Sequence, residues 1–228
     1  MKRKFIAKKL FCILITLIIL LVLIGYIIIR NRPVLPPVRI GKGEIRCSVP
    51  VELYTFETAI EKADVIAHLR IGDWLGENEH STYYKATVVE QFTGEAIEEI
   101  ILIQDGSSKS THGRFPLFTY GNELLIFLKK GSLPEYDNVY YSMGSFDTVL
   151  YAVTADSGDV YYYDRCNILS MSATGIINNI PMDSFARKLY DKLIKEDPLL
   201  EEEFYGAEFY SNICFYSKEA FEKLINKQ

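Results

Sequence analysis

Three histidines are the only imidazoles in the chain, His68, His80 and His112. Two of them fall in polar stretches that also carry acids: Glu77 and Glu79 beside His80, and Asp105 upstream of His112. Imidazoles with carboxylates are a donor set for a divalent metal. If the strands on either side run up and down, the loops after the first and third strands meet at one end of the fold. Glu77, Glu79, His80, Asp105 and His112 would then gather there. The same composition also suits a plain solvated loop. His68 has no partner at ligand spacing and reads as a solvent-side or hydrogen-bonded histidine of a strand. Ser107, Ser108 and Ser110 lie near His112, but no GxSxG elbow presents a nucleophile. Asp156-Ser157-Gly158-Asp159 lacks the downstream glutamate of a calcium loop and reads as a hairpin turn. HExxH, CxxC, the phosphate-binding GxxxxGK[ST] and the EF-hand pattern are all missing. The residues thus point away from catalysis and imply no cofactor.

Charge separates the chain into two parts. Residues 1–39 hold eight bases and no acid, which leaves 17 bases against 30 acids beyond them. A surface so acidic is a poor match for nucleic-acid phosphates. From Leu10 to Ile29 the sequence LFCILITLIILLVLIGYIII carries no charge, and as a helix its 20 residues reach about 30 Å, the thickness of a bilayer core. No small-residue cleavage site follows, so an uncleaved signal-anchor is expected. Five bases precede the span and three follow it, which places the N-terminus in the cytoplasm. The expected organisation is a basic tail (1–9), a transmembrane helix (10–29), a linker rich in proline (30–43) and an extracytoplasmic domain.

Within that domain the hydrophobic period changes along the chain. Phe56, Ala59, Ile60 and Ala63 recur at helical spacing behind Thr55, an N-cap residue. Val65, Ala67, Leu69 and Ile71 then alternate, as a strand does. Strands are also expected over 82–92, 97–104, 123–129, 139–142, 148–154 and 160–163, with a turn at Thr93-Gly94. Consecutive Tyr161, Tyr162 and Tyr163 would send at least one ring outward, ordinary barrel surface or part of a protein interface. Short strands in succession predict a mainly β fold, an antiparallel barrel over 44–166. Beyond Cys166 the pattern is helical, with one helix after Pro181 that stops at Pro198 and another after Ser217. Residues 167–228 are therefore expected to form a helical extension packed on the barrel.

The run of one helix, ADVIAHLRIGDW, STYYKATVVEQFTGE, EEIILIQDG and YGNELLIFLKKG resembles the netrin-type module. That OB-like barrel occurs in netrin C-terminal domains, tissue inhibitors of metalloproteinases and bacterial surface proteins. The resemblance covers Cys47 to Cys166. In the inhibitors a free terminal amine on a cysteine-rich strand ligates the target's zinc. Here RCSVP lies inside the chain, so that mechanism does not carry over. The resemblance implies a disulfide between Cys47 and Cys166, with Cys214 left free. The residues themselves equally allow three reduced thiols. Read as a whole, the sequence suggests a membrane-anchored, non-enzymatic binding module whose partner is a protein or another envelope component. The alternatives are a metal-binding protein or metal-dependent enzyme using the His80 and His112 loops, and a structural subunit of an envelope complex.

Overall fold

The computed structural model describes residues 16–27, 54–109, 116–144, 148–164, 184–200 and 214–226. The chain divides into two units, Met1–Val34 and Leu35–Gln228. In the first, residues 16–27 form helix α1, and its large apolar side chains, from Leu17 to Ile27, are all exposed. Among the described residues no helix is long and apolar enough to cross a membrane. The expected span begins before α1 and ends after it, at positions outside the described residues.

The second unit starts with helix α2 (Phe56–Lys62), whose N-cap Thr55 accepts a hydrogen bond from the Thr58 amide at 3.2 Å. Eight strands follow in one sheet: β1 (Val65–Glu77), β2 (Ser81–Thr93), β3 (Glu99–Asp105), β4 (Glu123–Lys130), β5 (Val139–Ser142), β6 (Val149–Thr154), β7 (Val160–Asp164) and β8 (Cys214–Ser217). Their order is β1-β2-β3-β5-β4-β6-β7-β8, and a further pairing of β1 with β4 closes the first five into a barrel. The fold is therefore mainly β, with a closed five-stranded barrel and helices at both ends.

The barrel is not antiparallel throughout, as the sequence had suggested. Strand β4 runs antiparallel to β1, and β5 returns antiparallel to β4, so β5 meets β3 in parallel. Parity requires this: directions cannot alternate all the way round a closed ring of five strands. Beyond the ring, β6, β7 and β8 extend from β4 as an open sheet. Strand β8 lies in the stretch expected to be helical only.

Two cores flank this sheet. Val65, Ala67, Leu69 and Ile71 of β1 point into the barrel with Tyr84, Leu102 and Ile126. That core continues beneath helix α3 (Ser184–Glu196), which contributes Ala186, Leu189, Tyr190 and Leu193. The outer face of β1, β4, β6, β7 and β8 carries a second core, Ile66, Leu125, Phe127, Tyr162 and Tyr216. It lies under α2 and helix α4 (Lys218–Ile225), which is capped by the Ser217 hydroxyl accepting from the Ala220 amide. Phe221 of α4 stands edge-on to Phe56, Phe92, Phe127 and Tyr162, with ring centroids between 5.3 and 6.2 Å apart. Coverage on both faces corrects the expectation of an outward tyrosine in β7. Tyr162 is buried under α4, Tyr163 is buried on the α3 side, and half-buried Tyr161 meets Phe185 edge-on at 5.3 Å.

Candidate functional site

The β1–β2 turn and the start of the β3–β4 connection do meet. The Gly106 amide donates to the His80 carbonyl at 2.6 Å, and the Ser107 hydroxyl donates to the Glu79 carbonyl at 3.0 Å. Asp105 lies opposite Ser81 in the β2–β3 register. Glu77 is occupied as a loop clamp, its carboxylate accepting from the Ser108 amide at 2.8 Å and from the Ser108 hydroxyl. His80 and Glu79 point into solvent, both more than 80 % exposed, with Nε2 and Oε2 3.9 Å apart. A pair so open is screened and holds neither partner in place. Among the described residues no three His, Cys, Asp or Glu side chains converge to hold a metal ion. His112 lies outside the described residues, as do Cys47, Cys166 and Ser110. Cys214 opens β8, across from Asp164 of β7.

A charge cluster that the sequence reading did not assemble sits on the outer face of the barrel. His68 is almost fully buried, and its Nε2 lies 3.2 Å from Oε2 of Glu123, the first residue of β4. Arg70 reaches the other oxygen of the same carboxylate from the next outward position of β1, its Nε at 2.9 Å. The His68 imidazole beside it is the main influence that holds the Glu123 carboxyl down to about 2. Partial burial opposes it, and the Arg70 guanidinium reinforces it. The His68 ring meets Tyr162 edge-on at 5.8 Å. Opposite His68 on β2 stands Glu90, which pairs with Lys218 of α4 at 2.6 Å. His68 is thus not the solvent-side histidine of one of the two readings: it is buried against the Glu123 carboxylate. One signal in the sequence pointed here: an acid opening the apolar run ELLIFLK needs a cation beside it.

Beside Glu123 a cleft of about 390 Å³ runs between β4, β6 and the C-terminal end of α3, with Lys192, Glu196 and Asp197 along its helical side. Its polar groups tie α3 to the sheet. Asn122 Nδ2 donates to Asp197 at 3.1 Å, and Lys192 Nζ donates to the Thr154 carbonyl at 2.5 Å. Among its described lining residues there is no serine, cysteine or histidine.

The other outward face is different. Registers across β2, β3, β5 and β4 place Tyr83, Ile103, Tyr141 and Lys129 side by side in one row. Lys85 and Ile101 form the next row. Tyr141 is 43 % exposed and Val89, further along β2, 45 %. The lysines at the rim are already neutralised, Lys85 by Glu99 and Lys129 by Asp64, each at 2.9 Å. The result is an aromatic and aliphatic strip bordered by paired charges.

Compared with family models, with curated proteins and with solved structures, the chain matches none.

Proposed function

We propose that the chain is a single-pass, membrane-anchored protein that displays an OB-like barrel outside the cytoplasm as a non-enzymatic binding module. Its partner is a protein or another envelope component, seated on the outward strip of β2, β3 and β5. The strip carries the reading: Tyr141 is exposed beside half-buried Tyr83 and Ile103, while α2 and α4 seal the opposite outer face. Exposed tyrosine with aliphatic neighbours and a paired, polar rim has the make-up of an interface core. The anchor is supported by the charge-free turns of α1 with their exposed apolar side chains, and the OB-like kinship with netrin-type modules by the ring order β1-β2-β3-β5-β4.

Site-specific photocrosslinking in intact cells tests it. A photoreactive residue at position 83 or 141 is expected to trap one adduct of defined mass. The same residue at the exposed position 187 on α3 should trap none, and Tyr141→Glu should remove the adduct formed from position 83. Equal adducts from 141 and 187, or none from 83 and 141, would overturn the assignment.

A further inference from the structure

Two hydrogen-bond donors at the Glu77 end of the barrel have no acceptor. Trp74 of β1 stands directly opposite Tyr84 of β2, between two register shifts of that strand pair, and both side chains pack against the interior core. The Trp74 Nε1 and the Tyr84 hydroxyl are buried, and neither donates to an acceptor among the described residues, while the Phe118 amide approaches the Tyr84 oxygen. An indole N–H can only donate. Burial drives the Tyr84 phenol far above its usual range, with Tyr151 and the Glu77 carboxylate adding to the effect, so it keeps its proton throughout the physiological range. Neighbouring acceptors are occupied. Gln104 Oε1 accepts from the Phe118 amide at 2.8 Å, and the Gly106 carbonyl accepts from Thr82 Oγ1 at 2.8 Å. Both oxygens of Glu77 are bonded to Ser108.

Native interiors leave very few such donors unmet, because each has lost its water on burial. Facing residues of an antiparallel pair have Cβ atoms about 4.5–5.5 Å apart, so the two side chains rise from neighbouring points on the inner face of the barrel. Both donors are uncharged and the nearby charge is the Glu77 carboxylate, which disfavours an anion. We propose that the barrel interior at this end is a binding site for one neutral oxygen acceptor, held between the Trp74 Nε1–H and the Tyr84 hydroxyl. That oxygen belongs either to a buried water or to the hydroxyl or carbonyl group of a small uncharged molecule.

Trp74 is the only tryptophan in the chain, so its indole N–H gives one resonance and reports on this site alone. The experiment uses the full-length protein in detergent micelles. If the acceptor is water, the indole proton exchanges magnetisation with a long-lived water. If it is a small molecule, native mass spectrometry shows an added mass that survives desalting and is lost on unfolding. Tyr84→Phe is expected to weaken either signal several-fold and to lower Tm, because the acceptor loses one of its two donors. An indole proton with no transfer to water in a protein with no added mass overturns the site. So does a Tm that rises in Tyr84→Phe, the response of a dry site relieved of a bare hydroxyl. Should the variant not fold, the wild-type indole signal decides alone.

Discussion

Glu123 joins the surface to the second core through two cations of different exposure. Arg70 is more than half exposed, whereas His68 is closed off beneath Tyr162 and α4. Because the folded carboxyl titrates at about 2 and the free one at 4.5, the folded state binds fewer protons between those values. The stabilisation from Glu123 is therefore complete above about pH 4.5 and disappears as the pH falls towards 2. Glu123→Gln is expected to be less stable near neutral pH by about 1 kcal/mol, a figure reduced for solvent screening at Arg70. It should also show a flatter acid limb when Tm is followed against pH. Asp64, whose carboxyl is lowered by the Lys130 amide and then by Lys129, titrates in both proteins and cancels in the comparison. An unchanged acid limb would show that Glu123 is not what couples the fold to acid. The sequence showed His68 on its strand and an acid opening the apolar run ELLIFLK, but 53 and 55 residues separate Arg70 and His68 from that acid. Only the β1–β4 register brings them together.

At the scale of elements, what could be read from the sequence was whatever a residue does to its own neighbours. Thr55 and Ser217 start their helices through hydrogen bonds three residues long, and the β6–β7 hairpin turns at Gly158 with φ +93°. The turn expected at Thr93-Gly94 shows the same locality with a tertiary addition. Gly94 has φ +89°, and a Cβ there would strike the Asp64 carbonyl and the Val65 side chain at the entry to β1. Gly94→Ala is expected to cost about 1–3 kcal/mol through strain and collision together. The measurement is the shift of the urea midpoint, and a midpoint equal to wild type would refute the close approach. The parallel β3–β5 pair was not legible, since the β3–β4 connection determines which neighbour β5 meets. Strand β8 was hidden for another reason, and so were the faces of the doubly covered β7, although β7 itself was expected over 160–163. Burial on both faces removes the alternation by which strands are recognised, so Tyr161-Tyr162-Tyr163 offers no inside or outside. The strip of Tyr83, Ile103 and Tyr141 escaped likewise, each residue being unremarkable on its own strand and significant only once the registers are known.

For the whole domain, the decisive arrangement is that α2 and α4, from its two ends, cover one core. Phe221 is fully buried among Phe56, Phe92, Phe127 and Tyr162. Phe221→Ala is expected to destabilise by about 3–5 kcal/mol, a large share of the roughly 5–15 kcal/mol that holds an ordinary domain folded, read as a fall in the urea midpoint. A chain ending at Ser217 should leave Phe127 and Tyr162 open and bind a hydrophobic dye that the full chain excludes. If that shortened chain kept wild-type stability and bound no dye, α4 would be an ornament and not a seal. The same arrangement constrains the timing of biosynthesis. A chain emerging N-terminus first can close the barrel once β5 is available, yet the Phe56 side of the sheet stays bare until Phe221 has appeared. A barrel that closed during synthesis would therefore pass through a half-covered intermediate, its apolar sheet face open to association until α4 arrives.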